Sequence, residues 1–385
     1  MREMPSLLWR TDLGPGPVKV AAGSFAAGSD IAAAEGSRAY LFVPSDGEYS
    51  MLSVYDLNER ITGLTAVRMG TEEEGLAITT PDRVVVLNIR QGALAMAAGS
   101  GREPGADFVD VAAGDLDGDG LDEIAAAAAG LESIYVYRLV KGPGGMLNLE
   151  LAGIRVVPGI PQQVKVFRRP DGINAIAVAY RENDTWGVST YRLTEEGFEE
   201  GPSLVGQPVG ISSMVAGDFL ANPGEELALG TVGGMVWLVG TGLALEVLLV
   251  TDSLGTSVSA LATSGGSAAS LGAGTPEGHV FLFNYPVKRS PDQVFSPVEG
   301  VTGLSFLNGE RVAVGTAVGG LQVWSRDTLG KTWNYIVKPG DTLWNIALKV
   351  GVPVERIISS NEETIKNPEV IIPGQVIRIP AGNGG

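Results

Sequence analysis

A chain of 385 residues, 44% apolar and 18% charged, is long enough for one large folded domain plus a small one and too apolar for a disordered chain. Its net charge of −17 argues against a nucleic-acid partner, because the phosphate backbone needs clustered positive charge, and the absence of cysteine excludes disulfides and thiolate metal sites. With no run of 18 apolar residues, no membrane-inserted helix is expected, while 54 glycines and 22 prolines without a collagen period suit many turns between short strands.

The chain opens M-R-E-M-P-S-L-L-W-R-T-D-L-G, with no apolar core of signal-peptide length. Three expectations follow: a signal already removed, another export route, or release by lysis. Ser6 to Leu13 reads as an outer strand similar to L-E-V-L-L-V-T-D at 245–252. From there to residue 330 one unit repeats. The clearest copy, Asp107 to Val157, holds four short strands separated by turn residues. Its second strand, small and apolar, recurs at Ile31-Ala32, Leu76-Ala77, Ile124-Ala125, Ile176-Ala177, Leu227-Ala228, Leu271-Gly272 and Val312-Ala313, at intervals of 45, 48, 52, 51, 44 and 41 residues. That is the length of a four-stranded propeller blade. The third strand usually carries an aromatic residue, as at Tyr40, Tyr135, Tyr191, Trp237, Phe281 and Trp324. Blades converge near the axis and leave little room for large inner side chains, so small inner strands fit a propeller. The seventh unit has three clear strands, and Ser6 to Leu13 is expected to add the fourth and close the ring. An open set of blades or a β-sandwich is the rival.

The third unit contains D-L-D-G-D-G-L-D-E. Asp115, Asp117, Asp119 and Glu123 stand at positions one, three, five and nine of this loop, so alternate carboxylates can converge on one hard cation while Gly118 and Gly120 permit the turn. An acidic turn without an ion is the alternative. This stretch resembles the FG-GAP, or VCBS, repeats of integrin-like propellers. The resemblance implies one structural Ca²⁺, with the Leu121 carbonyl as a further ligand. Related but poorer turns occur at Gly217-Asp218-Phe219 with Glu225-Glu226, and at Ser24 to Asp30. His279, the only histidine, opens the apolar strand H-V-F-L-F and reads as structural or surface. No nucleophile–base set, phosphate loop or zinc cluster is recognisable.

The composition changes at the tail. From Lys331 onward six basic and five acidic residues leave +1, against −18 for the remainder. The tail reads strand (Tyr335, Val337), turn (Pro339-Gly340), helix (Leu343, Ile346, Ala347, Val350, ended by Gly351), a second short helix from Pro353 to near Asn361, turn (Pro373-Gly374) and strand (Val376, Ile377, Ile379). Asp341 or Thr342 sits where the helix N-cap is wanted. Trp344 is expected in the core more than on a ligand platform.

Two stretches, Y-x-V-x-x-G-D-T-L-W-x-I-A and I-x-P-G-Q-x-I-x-I-P, closely resemble the LysM family, whose modules bind N-acetylglucosamine-containing glycans such as peptidoglycan or chitin. The resemblance implies a groove between Gly340, Asp341, Thr342 and Leu343 on one side and Asn367, Pro368, Ile371, Ile372 and Pro373 on the other. The expected architecture is an all-β seven-bladed propeller (residues 1–330) followed by a small α+β (βααβ) LysM domain (331–385). The expected function is a non-catalytic glycan-binding protein whose tail anchors a propeller scaffold at a bacterial cell wall or spore layer. The propeller's own protein or glycan ligand is unknown. A wall-targeted propeller hydrolase or lyase, and a phage-tail or spore-coat assembly protein, are the rivals.

Overall fold

The computed structural model describes residues 7–26, 28–70, 73–142, 146–296, 299–307, 311–325, 332–350, 354–361, 364–365, 367–368 and 370–380. Strand β1 (Leu7–Asp12) precedes the first blade, which comprises β2 (Lys19–Gly23), β3 (Asp30–Glu35), β4 (Arg38–Ser45) and β5 (Glu48–Asp56). Blade two follows with β6 (Gly63–Arg68), β7 (Glu74–Thr80), β8 (Arg83–Arg90) and β9 (Ala93–Gly99). Blade three has β10 (Phe108–Gly114), β11 (Glu123–Ala128), β12 (Ser133–Lys141) and β13 (Leu147–Val156). Blade four has β14 (Ile160–Arg168), β15 (Asn174–Glu182), β16 (Thr185–Thr194) and β17 (Gly197–Gln207). Blade five has β18 (Ile211–Gly217), β19 (Glu226–Thr231), β20 (Val236–Thr241) and β21 (Leu245–Val250). Blade six has β22 (Ala260–Thr263), β23 (Leu271–Gly274), β24 (Val280–Phe283) and the short β25 (Gln293–Phe295). Blade seven combines β26 (Val301–Leu307), β27 (Arg311–Thr316) and β28 (Gly320–Ser325) with β1 as its outermost strand, in the order β1-β28-β27-β26.

All seven sheets are antiparallel, and the first strand of each packs against the first strand of the next, from β2 through β26 and back to β2. The protein is therefore a closed seven-bladed β-propeller. Closure joins the two ends of the propeller: β1 pairs with β28, with Thr11 opposite Leu321 and Asp12 opposite Gly320. Second strands such as Glu123–Ala128 are buried at every position, because a neighbouring sheet covers each face. Alanine and glycine fit there. A Cβ on Gly272 of β23 would meet Leu304 of the next blade at 2.9 Å. Fourth strands such as Leu147–Val156 face solvent along much of their length.

The core is divided into seven wedges, one per blade junction. One wedge joins Phe108, Tyr135 and Tyr137 of blade three to Met69 and Val86 of blade two; another joins Phe42, Tyr49 and Val18 of blade one to Leu321 and Val323 of blade seven. Around the axis, hydroxyls stitch one blade to the next. Ser212 Oγ donates to the Val258 carbonyl at 2.7 Å, and Ser259 Oγ to the Val301 carbonyl at 2.5 Å. Ser212 sits at a register shift between Ile211 and Ser213, which re-aims it toward its neighbour.

The tail forms β29 (Thr332–Ile336), α1 (Leu343–Val350), α2 (Val354–Ser359) and β30 (Val376–Pro380), with β29 antiparallel to β30. Its core is separate: Tyr335, Val337, Leu343, Ile346, Ala347, Ile357, Ile365, Ile377 and Ile379. Gly351 and Pro353, read as the helix stop and restart, lie outside the described residues, as does Ser6. Trp344 corrects the expectation of a core residue: it is 62% exposed. Leu343, Ile346 and Ala347 define the buried stripe of α1, and one residue after Leu343 is a 100° turn away from it. Among the described residues no helix is long and apolar enough to cross a membrane.

Candidate functional sites

The acidic loop of blade three hangs between β10 and β11. Asp115, Asp117 and Glu123 bring carboxylate oxygens within 4.8 Å of one another. Asp119 is turned elsewhere: its Oδ1 accepts from the Leu121 amide at 2.7 Å. Asp115 closes the loop on itself, accepting from the Gly118 amide at 2.7 Å and the Gly120 amide at 3.1 Å. Glu123, only 2% exposed, accepts from the Leu116 amide at 2.8 Å. Burial, with the nearby carboxylates of Asp117 and Asp119, pushes its pKa up to about 7.

Two arginines, not anticipated from the motif, reach this cluster. Arg138 Nε lies 3.1 Å from Asp117 Oδ2 and 3.9 Å from Glu123 Oε1. Arg68 Nη2 lies 3.7 Å from Asp115 Oδ2 and 3.1 Å from Asp122 Oδ1. Three convergent hard oxygen donors fit a divalent cation such as Ca²⁺. Arg138 already supplies part of that positive charge and would have to give way to an ion.

The related turns reveal a shared device in alternate blades. Glu226 accepts from the Phe219 and Leu220 amides at 2.9 and 3.0 Å, as Glu123 accepts from Leu116. Asp30 accepts from the Ala26 amide at 2.6 Å. Each buried acid opens its blade's second strand and caps the preceding loop. In the motif, Glu123 therefore has a loop-holding role that ligand spacing alone does not express.

In the tail, a bond network sets two loops side by side. The Val337 amide donates to the Gln375 carbonyl at 2.9 Å, and the Gly374 amide to the Val337 carbonyl at 2.8 Å. The loop after Val337 and the loop before Gly374 thus emerge together from one end of the β29–β30 pair. In the first loop, Gly340 has φ +86°, where glycine is favoured. Thr342 Oγ1 accepts from the Asn345 amide at 3.1 Å, so Thr342 is the N-cap of α1. Asp341 is not the cap. Its Oδ2 accepts from the Tyr335 hydroxyl at 2.8 Å and the Lys338 amide at 2.7 Å, folding the turn over the strand end. Burial and this carboxylate raise the Tyr335 pKa beyond its ordinary value.

In the second loop, the Ile372 amide donates to Gln375 Oε1 at 3.0 Å and the Val370 amide to the Asn367 carbonyl at 3.1 Å. Asn367, Pro368 and Pro373 are exposed, Ile371 packs partly into the core, and Val370 and Ile372 are 61% and 63% exposed. Leu343 is buried and supports the first loop from beneath. Asn361 went unrecognised as a structural residue: its side chain bonds both backbone groups of Arg378, at 2.6 and 2.7 Å, tying the end of α2 to β30. Its carboxamide behaves as a short third strand.

The LysM domain family model matches residues 335–380. Residues 335–380 form a LysM domain. LysM domains bind N-acetylglucosamine-containing glycans, so the two adjacent loops belong to a glycan-binding module. Over 47 residues the LysM region is 45% identical to "SpoIVD-associated factor A" of Bacillus subtilis (strain 168) and 43% identical to "Spore coat assembly protein ExsA" of Bacillus cereus. Those alignments cover 12% of this chain and 12% and 7% of the relatives, so the likeness is confined to the module. The propeller resembles solved structures described as BBS1N in complex with ARL6DN. The mercury-soaked crystal gives a TM-score of 0.61 at 12% identity, over 84% of this chain and 97% of that chain. The lead-soaked crystal gives 0.59 at 13%, over 84% and 98%. At such identity the likeness is one of fold.

Proposed function

We propose that this chain is a non-catalytic adaptor in which the LysM domain holds peptidoglycan, or a related N-acetylglucosamine polymer, and the propeller (residues 1–330) presents a rigid surface to a second partner. The observation that carries this is the pair of LysM loops held side by side by Val337, Gly374 and Gln375. Gly340, Asp341 and Thr342 form one wall of the groove, with buried Leu343 beneath them, and Asn367, Pro368, Ile371, Ile372 and Pro373 the other. Backbone amides in these loops bind the N-acetyl group, and exposed Ile372 packs on its methyl. A spore layer is the favoured place of action, because two relatives of the module carry spore-associated names. The same names favour a part in coat assembly as a second reading.

The acidic loop fits an FG-GAP-like Ca²⁺ site in one blade, held by Asp115, Asp117 and Glu123, with Asp119 and the Leu121 carbonyl completing the set after a local turn. The ion's part is structural, clamping the β10–β11 connection.

Co-sedimentation with purified peptidoglycan tests the main reading. The full chain is expected in the pellet, a chain ending at residue 330 in the supernatant, and chitin oligomers are expected to release the former. Equal pelleting of both chains, or soluble fragments released from labelled peptidoglycan, would overturn it in favour of propeller binding or a wall-degrading enzyme respectively.

A further inference from the structure

The outer strand of blade six is unlike its counterparts. Every other outer strand leaves several residues exposed, whereas Gln293, Val294 and Phe295 of β25 are all buried, although the sheet ends there. The tail supplies the cover. Strand β29 lies against β25, and Ile336 packs on the cluster that holds Phe283, Val287 and Val294. From blade seven, Trp324 closes over Phe295 with ring centroids 5.0 Å apart. Alternation explains how one extended stretch serves two bodies. Tyr335 and Val337 point into the core of the LysM domain, so Ile336 and Lys338 point the opposite way, toward the ring. Lys338 makes the second contact: its Nζ donates to the Ser253 carbonyl at 3.1 Å. Ser253 belongs to the connection from blade five to blade six, which is itself pinned on both sides. The Asp252 amide donates to the Arg289 carbonyl at 2.8 Å, and the Leu254 amide to the Gly234 carbonyl at 2.7 Å.

Lys338 also opens the first glycan loop. Its amide donates to Asp341 Oδ2 at 2.7 Å, and its carbonyl accepts from the Asp341 amide at 3.0 Å. The turn that carries Gly340 and Asp341 is therefore held at its root by the module and, through the lysine ammonium, by the ring. An apolar seat at Ile336 with a polar link two residues on fixes both the place and the rotation of the module; one contact alone would leave a pivot. We propose that the LysM domain is seated on blade six as one rigid unit with the propeller, and that Lys338 is a positioning residue. Anchored at Ser253, it orders the first glycan loop before the sugar arrives. A loop already ordered loses less freedom on binding, so the complex is tighter. The seating stands on the contacts with the ring alone; the role of Lys338 rests on the glycan reading proposed above. The propeller then keeps one fixed direction relative to the bound glycan strand.

The chain has no cysteine, so Leu243→Cys on blade five and Asn345→Cys on α1, both exposed, give the full-length protein two unique spin-label sites. Electron–electron distance measurement is expected to give one narrow distribution, which Ile336→Ser should broaden. The buried amides of Ile377 and Ile379 should stay protected from hydrogen exchange in that variant, since Ile336 lies outside the module's core. Calorimetry with tetra-N-acetylchitotetraose reads the loop. Lys338→Met should weaken binding about threefold or more with unchanged melting, and Lys338→Arg should restore most of it. A broad distribution in the unsubstituted chain overturns the seating. So does loss of protection in Ile336→Ser, which would make Ile336 a core residue of the module. Equal affinity of Lys338→Met and the parent overturns the positioning role. A narrow distribution in a parent that binds no oligomer supports the seating and overturns the glycan reading, and the role of Lys338 with it.

Discussion

Thr302 Oγ1 donates to the carbonyl of Val18 at 3.0 Å, a bond between residues 284 positions apart that joins blade seven to blade one. The Val18 amide meanwhile donates to the Thr316 carbonyl at 3.0 Å, and the Leu13 amide to Gly319 at 2.9 Å. The ring is therefore sealed at its axis by a hydroxyl and at its rim by β1. Deleting residues 1–13 should leave β28 as an unpaired edge, lower the melting temperature sharply and promote association. Thr302→Val removes only the axial link and should cost about 1 kcal/mol in denaturant unfolding. Unchanged melting after the deletion would mean that β1 adds nothing to blade seven.

The acidic loop predicts metal-linked stability. Ca²⁺ binding to the folded state alone should stabilise by about 2.7 kcal/mol at a hundredfold excess over Kd. Chelator should lower the melting temperature without unfolding the ring, and Asp117→Ala should abolish that difference. Arg138→Met removes the internal cation that engages Asp117 and should tighten Ca²⁺ binding several-fold in calorimetry. No Ca²⁺ uptake by a metal-stripped sample would refute the site.

Glu226 gives a pH prediction away from that loop. Burial raises its pKa, the Phe219 and Leu220 amides oppose the shift, and Asp218 reinforces it. The folded state then keeps a proton that the unfolded chain has released. Stability should fall as pH rises from the ordinary carboxylate value to the higher folded one, and the cost is fully present above that window. Glu226→Gln cannot titrate, so its stability relative to the parent should rise with pH across the window. Urea midpoints from mildly acidic to neutral pH would show it, and parallel curves for the two proteins would contradict it.

Trp344 and Ile346 separate binding from folding in the tail. Ile346 is fully buried in a small core, and Ile346→Ala should cost about 2–5 kcal/mol of that domain's stability. Trp344 is exposed beside the first loop, so Trp344→Ala should leave melting nearly unchanged while weakening glycan retention. Unaltered retention would remove Trp344 from the glycan surface.

The seven units are legible in the sequence because the second strand of every blade faces the same constraint, sheets on both sides, which favours buried apolar runs rich in small residues such as Ala125 to Ala128. The LysM loops are legible because turns and caps need particular residues, such as Gly340 at positive φ. Trp344 was harder, since hydrophobic size suggests a core and only the phase of α1 places it outside. Asn361 escaped notice because its partners at Arg378 lie 17 residues away. Arg138 and Arg68 show the same limit. Their charges acquire meaning only where strands from different positions in the chain are brought to one place.

The pairing of β1 with β28 also sets an order of events during synthesis. Leu7 to Asp12 leave the ribosome roughly three hundred residues before Gly320 to Trp324 exist to receive them. Until then blade one lacks its neighbour from blade seven, and Phe42 and Tyr49, which end up against Trp9, have no ring to pack on. Blades one to six can form as the chain emerges, each against the one before it. The wedge between blades seven and one has to wait, so the slowest step of folding should be the return of the first strand to the last blade, and a chain stalled before residue 320 should be the species most open to proteases and chaperones.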